Sequence, residues 1–263
     1  MEEQKVLFHC EDHVGYITLN VPQKRNAISR PMAAQLKKYI SRCESDPDIH
    51  VVVFTGGEDA FCSGGDVSGF DMGDDPELAK SESLLESMGH VCMRMKLMDK
   101  LVITAVGGVA AGGGEGIALS GDYILAGDNA RFIQTSAKIG LVPDMASTYL
   151  LAKAIGPQRA LELCLSCRTL GAQEALELGL VKEVCPKEEL MERTRQLARE
   201  LAAGPLVAYQ GIKRQLRETL YADYEDYMLR VERETMAQAE ASQDYQEGVA
   251  AFMEKRKPVF QGR

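Results

Sequence analysis

The chain contains no tryptophan and only four histidines, and aromatic residues make up 6% of its 263 positions. It also lacks an excess of positive charge: 30 Lys and Arg face 39 Asp and Glu, for a formal charge of −9. That balance argues against general nucleic-acid binding, because neutralising phosphates requires clustered cations. No uninterrupted apolar run nears the roughly 20 residues that cross a bilayer. Met1-Glu2-Glu3-Gln4 does not begin a basic-then-apolar signal peptide, and Gln261-Gly262-Arg263 is not a peroxisomal address. A cytoplasmic protein without membrane contact is expected. No His/Cys/carboxylate cluster points to a metal. The seven cysteines, at positions 10, 43, 62, 92, 164, 167 and 185, are odd in number and scattered, which suits reduced thiols. Cys164 and Cys167 have redox-motif spacing, but they stand in a Leu-rich helical stretch with no second pair.

What is present is a globular composition, 45% hydrophobic and 26% charged, in a chain long enough for one large domain. Val6–Phe8 and Val14–Asn20 flank a polar Glu11-Asp12-His13 turn, which predicts a hairpin. Ser29 is placed to cap a helix carrying Met32, Leu36, Tyr39 and Ile40. Buried strands are predicted at Val51–Thr55, Leu101–Val106 and Tyr123–Ala126, each followed by a loop and a helix. The acidic stretch Asp71–Glu77 reads as a mobile loop. From Gly171 the chain turns mainly helical, with a strand candidate at Val181–Cys185, and Tyr224–Lys257 carries Tyr227, Val231, Met236, Val249 and Phe252 among many charges. The expected partition is an α/β core over residues 1–200 and a helical C-terminal extension over residues 201–263.

Two Gly-rich loops follow predicted strands. Gly107–Gly116 opens a helix, but Ile117 stands where a dinucleotide fingerprint needs Gly or Ala, and no Gly-Lys-Ser/Thr ending makes a phosphate loop. The remaining possibilities are close helix–strand packing or backbone N–H groups aimed at a developing anion. Ala60–Val67 is the second such loop, and one N–H from each can make a two-donor oxyanion hole.

These loops, with Pro22–Ala27 upstream and Phe252–Lys257 at the end, resemble the enoyl-CoA hydratase/isomerase (crotonase) superfamily over essentially the whole chain. The resemblance implies an α/β fold of repeated ββα units in a spiral, a helical C-terminal region used in trimerisation, and a coenzyme A thioester as substrate. No cofactor beyond the substrate's own coenzyme A is implied, and the expected assembly is a homotrimer or a dimer of trimers. The family's oxyanion donors fall on the N–H groups of Ser63 and Gly113. Its coenzyme A contacts fall on Arg25, near the nucleotide phosphate, on Ala27, Ala60 and the loop Gly64-Gly65-Asp66, and on Phe252 and Lys255, which reach the ligand of a neighbouring subunit.

The sequence departs from the hydratase pattern at both catalytic glutamates, whose positions hold Gly116 and Ser136. Glu115 lies one residue early, a turn of about 100° on a helix, and is expected to face solvent or the first-turn dipole. Ser136 can hold a water but is no strong base. Asp144, in Gly140-Leu141-Val142-Pro143-Asp144, matches the acidic residue of the family's enoyl-CoA isomerases, where one carboxylate moves a proton from C2 to C4. Its plainer alternative is a helix N-cap. Asp144-Met145-Ala146-Ser147-Thr148 also resembles the nucleophile segment of 4-chlorobenzoyl-CoA dehalogenases, but their His and Trp positions are Gly89 and Ser136 here. His90, next to Gly89, is expected to be a surface or helix-packing residue rather than a base. The expectation is an enoyl-CoA isomerase of fatty-acid metabolism. The alternatives are a hydratase, a thioester hydrolase or a dehalogenase of the same fold, and a silent acyl-CoA-binding protein.

Overall fold

The computed structural model describes residues 4–65 and 83–263. Asp66 and the acidic stretch Asp71–Glu77, singled out from the sequence, lie outside them. The hairpin forms as expected: β1 (Val6–Glu11) and β2 (Val14–Leu19) pair antiparallel around Asp12 and His13, both at positive φ. α1 (Arg30–Ser45) follows and buries Met32, Leu36 and Ile40. Ser29 occupies its N-cap position, though its hydroxyl makes no capping bond.

From Val51 a strand–strand–helix unit recurs. The first comprises β3 (Val51–Thr55), β4 (Ala60–Cys62) and α2 (Leu84–Leu97). The second comprises β5 (Leu101–Val106), β6 (Val109–Ala111) and α3 (Gly113–Leu119). The third comprises β7 (Tyr123–Gly127), β8 (Arg131–Ile133) and α4 (Ser147–Ile155). Next come α5 (Pro157–Ser166), β9 (Leu170–Gly171), α6 (Ala172–Glu177) and β10 (Glu183–Cys185). The first strand of each unit enters a six-stranded sheet of order β1-β2-β3-β5-β7-β10, and the second enters a smaller sheet, β4-β6-β8-β9. Parallel pairing sets Thr55 beside Ala105 and Ala105 beside Leu125. The strands of the large sheet therefore end together, and the chain enters both Gly-rich loops on one edge.

Alternate residues of the central strands face opposite layers, as the period of two requires. Val52 and Phe54 join the main core with Ile28, Met32 and Phe61. Val51 and Val53 face Leu190, Leu197 and Ala198 of α7 (Leu190–Ala202) on the other side. The chain ends in α8 (Leu206–Leu220), α9 (Tyr224–Asp226), a π-helical stretch Tyr227–Glu232, α10 (Arg233–Glu240) and α11 (Gln243–Met253). Tyr224 and Met228 from this region belong to the main core. Tyr149 Oη donates to Asp223 at 2.5 Å, and Lys213 Nζ meets Asp122 at 2.7 Å, further ties to the earlier helices and strands. All seven cysteines are free thiols, with Cys164 and Cys167 buried. No helix is long and apolar enough to cross a membrane among the described residues.

Candidate active site

Asn26 builds the meeting point of the two Gly-rich loops. Buried and in the left-handed region at φ 55°, it accepts from Val21 N through Oδ1, while its Nδ2 reaches the carbonyls of Gly56, Ala60 and Phe61 at 2.9 to 3.1 Å. The strand end and the start of the first loop are thus anchored by one side chain, to which sequence reasoning had given no role. Beyond it, Ile28 N donates to Gly64 O at 2.8 Å and Ile28 bridges to Gly65. Gly64 takes φ +92°, and an added Cβ would stand 2.8 Å from the carbonyl of Ala111, so the first loop lies directly on the second. Gly114 locks the same contact: its Cβ would fall 2.2 Å from Cys62 O.

The two expected oxyanion donors differ in state. Gly113 is the first residue of α3, so its N–H belongs to the first-turn groups that a helix leaves without an internal acceptor. Ser63 N instead donates to Arg25 O at 3.0 Å. One of these two N–H groups is thus open and the other engaged, because the Arg25–Ile28 segment pairs with Ser63–Gly65 along its length.

Asp144 arrives from the far side. Met145 and Ala146 both take positive φ, at 52° and 56°, and this reversal leaves Asp144 facing α3. Its Oδ1 lies 3.5 Å from the Cβ position of Gly113, buried and with no hydrogen-bond partner within the protein. Burial pushes the carboxyl up to about 6, with its own backbone N–H a smaller opposing influence. Asp144 is not the helix cap, since Ala146 holds the N-cap of α4, although Asp144 O accepts from Ser147 N at 3.0 Å. The position of the first hydratase glutamate is closed: a Cβ on Gly116 would stand 2.7 Å from Met145 Cβ and 2.8 Å from Ser147 Oγ. Ser136, at the second, opens a short 3-10 turn and is buried.

Glu115 contradicts the expectation of a solvent-facing side chain. It is 2% exposed, since the residues around α3 enclose the helix on every side. Burial pushes its carboxyl up to about 8, against the weaker influence of nearby Gln134. The folded state therefore holds this proton more tightly than the unfolded chain. Its contribution to stability is complete below the unfolded value near 4.5 and is lost as pH rises through about 8. Glu115→Gln is expected to raise stability by about 2–4 kcal/mol at pH 8.5 and by little at pH 5. Urea midpoints at the two pH values measure this, and an equal shift at both would contradict a neutral Glu115.

The outer residues are more open. Arg25 is exposed in the left-handed conformation, and Ala27 and Ala60 are half-buried near the Asn26 anchor. Phe252 and Lys255 stand exposed at the end of α11, whose Gly248 packs on the Ser136–Ile139 turn. His90 is exposed on α2. Sequence reasoning missed a further buried acid, Glu232, whose Oε2 accepts from Ala146 N at 2.7 Å.

With this geometry in place, the comparisons agree on one family. The model of the enoyl-CoA hydratase/isomerase family matches residues 9–263, and the chain belongs to that family. The 1,2-epoxyphenylacetyl-CoA isomerase of Escherichia coli K12 is 36% identical over 98% of each chain. The trans-2-decenoyl-[acyl-carrier-protein] isomerase of Streptococcus mutans is 30% identical over the full length of both. Hydratases also stand among the relatives. A crystal structure of an enoyl-CoA hydratase/isomerase from Pseudoalteromonas atlantica superposes with a TM-score of 0.88 at 31% identity, covering 98% of this chain and 100% of that one. The fold is the crotonase fold, and the protein is an enzyme of acyl-CoA metabolism.

Proposed function

We propose that the protein is an enoyl-CoA isomerase that moves a double bond from C3 to C2 of an acyl thioester. The observation that carries this reading is the buried, unpartnered Oδ1 of Asp144 beside Gly113, in a site whose two hydratase positions hold no carboxylate. Asp144 takes a proton from C2, and the electron pair left there spreads onto the thioester oxygen and, through the C3–C4 double bond, to C4. Gly113 N–H stabilises that oxygen, joined by Ser63 N–H as it leaves the Arg25 carbonyl. Asp144 then returns the proton at C4, which leaves the double bond at C2–C3 with no net change in atoms or electrons. A single base suffices, whereas hydration needs an activated water and a separate acid. Arg25, Ala27, Ala60 and the Gly64–Asp66 loop would hold the coenzyme A, with Phe252 and Lys255 supplied by a neighbouring copy in a trimer or a dimer of trimers.

The test offers the enzyme a 3-enoyl-CoA, a 2-enoyl-CoA and 4-chlorobenzoyl-CoA separately, following the conjugated thioester absorbance and the products. Conjugation of the 3-enoyl substrate, lost in Asp144→Asn, is expected. Water addition or halide release in its place would overturn the reading, as would binding without turnover.

A further inference from the structure

We infer that Glu232 is a positioning residue for Asp144: reaching across from the C-terminal helices, it holds the loop that aims the base at α3. Its Oε2 accepts from Ala146 N at 2.7 Å, across 86 residues of sequence. Ala146 and Met145 sit at positive φ, a conformation disfavoured for residues with a Cβ, so the reversal after Asp144 needs an external hold. Both partners of this bond are buried, Glu232 at 5% exposure and Ala146 at 0%.

The helix is shaped to deliver it. Tyr224, Met228, Glu232 and Met236 are all buried, at steps of four residues. On a regular α-helix such steps drift by about 40° each and would carry the last well off the first face. The wider π turns of Tyr227–Glu232 rotate less per residue and offset the drift, which keeps Glu232 inward. Beside it lies a cavity of about 220 Å³ lined by Leu85, Gly89, Met93, Met228 and Leu229.

Charge on Glu232 is governed by its surroundings. Asp144 and the Cys92 thiol face it, as do the Tyr224 and Tyr227 hydroxyls, with Glu86 and His90 of α2 and its neighbour Arg233 around the cavity. Arg233 is paired with Glu86 at 2.9 Å. Burial, followed by the Asp144 carboxylate, pushes Glu232 up to about 8, against the Ala146 N–H. Burial raises both carboxyls, and Glu232 keeps an oxygen for the Ala146 N–H whether or not it carries its proton. Above about pH 8 a second negative charge enters the site and opposes the dienolate.

The experiment measures turnover of a 3-enoyl-CoA from pH 5 to 10. Glu232→Ala is expected to lower kcat about 100-fold with KM within about threefold. Glu232→Gln keeps an oxygen for Ala146 and is expected to recover most of that loss while abolishing the alkaline decline. The inference is overturned by a wild-type rate in Glu232→Ala, by equal loss in both variants, or by an alkaline limb that survives in Glu232→Gln. Should Glu232→Ala not fold, the profile of the near-isosteric Gln variant decides alone. The inference rests on Asp144 as the base. A fully active Asp144→Asn removes that premise, whereas an inactive Asp144→Asn beside an unaltered Glu232→Gln profile removes the inference only.

Discussion

Asp144→Asn is expected to lower kcat for a 3-enoyl thioester by about 10³- to 10⁴-fold while KM stays within about threefold. The amide has the shape of the carboxylate but cannot take a proton, and in the proposed mechanism one residue carries both transfers. Binding is spared because Oδ1 has no partner within the protein to lose. The wild-type rate is expected to fall as pH drops through about 6, where Asp144 gains its proton. Stability moves the other way: a carboxyl raised from 3.8 to about 6 withdraws its contribution as pH climbs through that range. Asp144→Asn should therefore melt higher than wild type at pH 8 and no higher at pH 4. Stopped-flow absorbance and melting curves at both pH values test the pair, and a variant that keeps a tenth of its rate would rule Asp144 out as the base.

Gly114→Ala is expected to damage the site from behind. Its methyl would fall 2.2 Å from Cys62 O and 2.9 Å from Cys62 Cβ, and a backbone oxygen cannot turn aside as a flexible side chain can. The loops must separate, at a cost of about 1–3 kcal/mol for overpacking of this kind. Cys62 precedes Ser63 and Gly114 follows Gly113, so the separation moves both candidate donors. A shift of about 1 Å is enough to cost about 100-fold in kcat. The signature is a lower melting temperature with lost turnover and retained coenzyme A binding; normal kcat in a folded variant would show that the two loops need not touch.

The strands and the two loops could be read from the sequence because their signals are local. Val51–Thr55 and Leu101–Val106 are apolar runs of strand length, and the glycines mark where one backbone lies on another. Asp144 was singled out as a candidate by its motif. Glu115 was misread because helical rotation says which way a side chain points but not what covers that direction, and α3 is enclosed all round. Glu232 was missed for a different reason. The four-residue spacing of the buried face departs from the α-helical period, and an acid between Val231 and Arg233 looks like one more surface charge. The engaged state of Ser63 N–H depends on pairing with a segment 38 residues earlier, which no local pattern reports.

That engagement bears on selectivity. A thioester carbonyl in its resting state is a neutral acceptor much like the Arg25 carbonyl, so replacing one with the other at Ser63 N–H yields almost no net free energy. An oxygen that has taken on the charge of a dienolate is a far stronger acceptor and wins the exchange clearly. In the proposed isomerase, the Arg25 carbonyl would thus compete for the second donor with substrate at rest and release it as charge develops. Binding energy at this position would then be reserved for the transition state, where alone it accelerates the reaction.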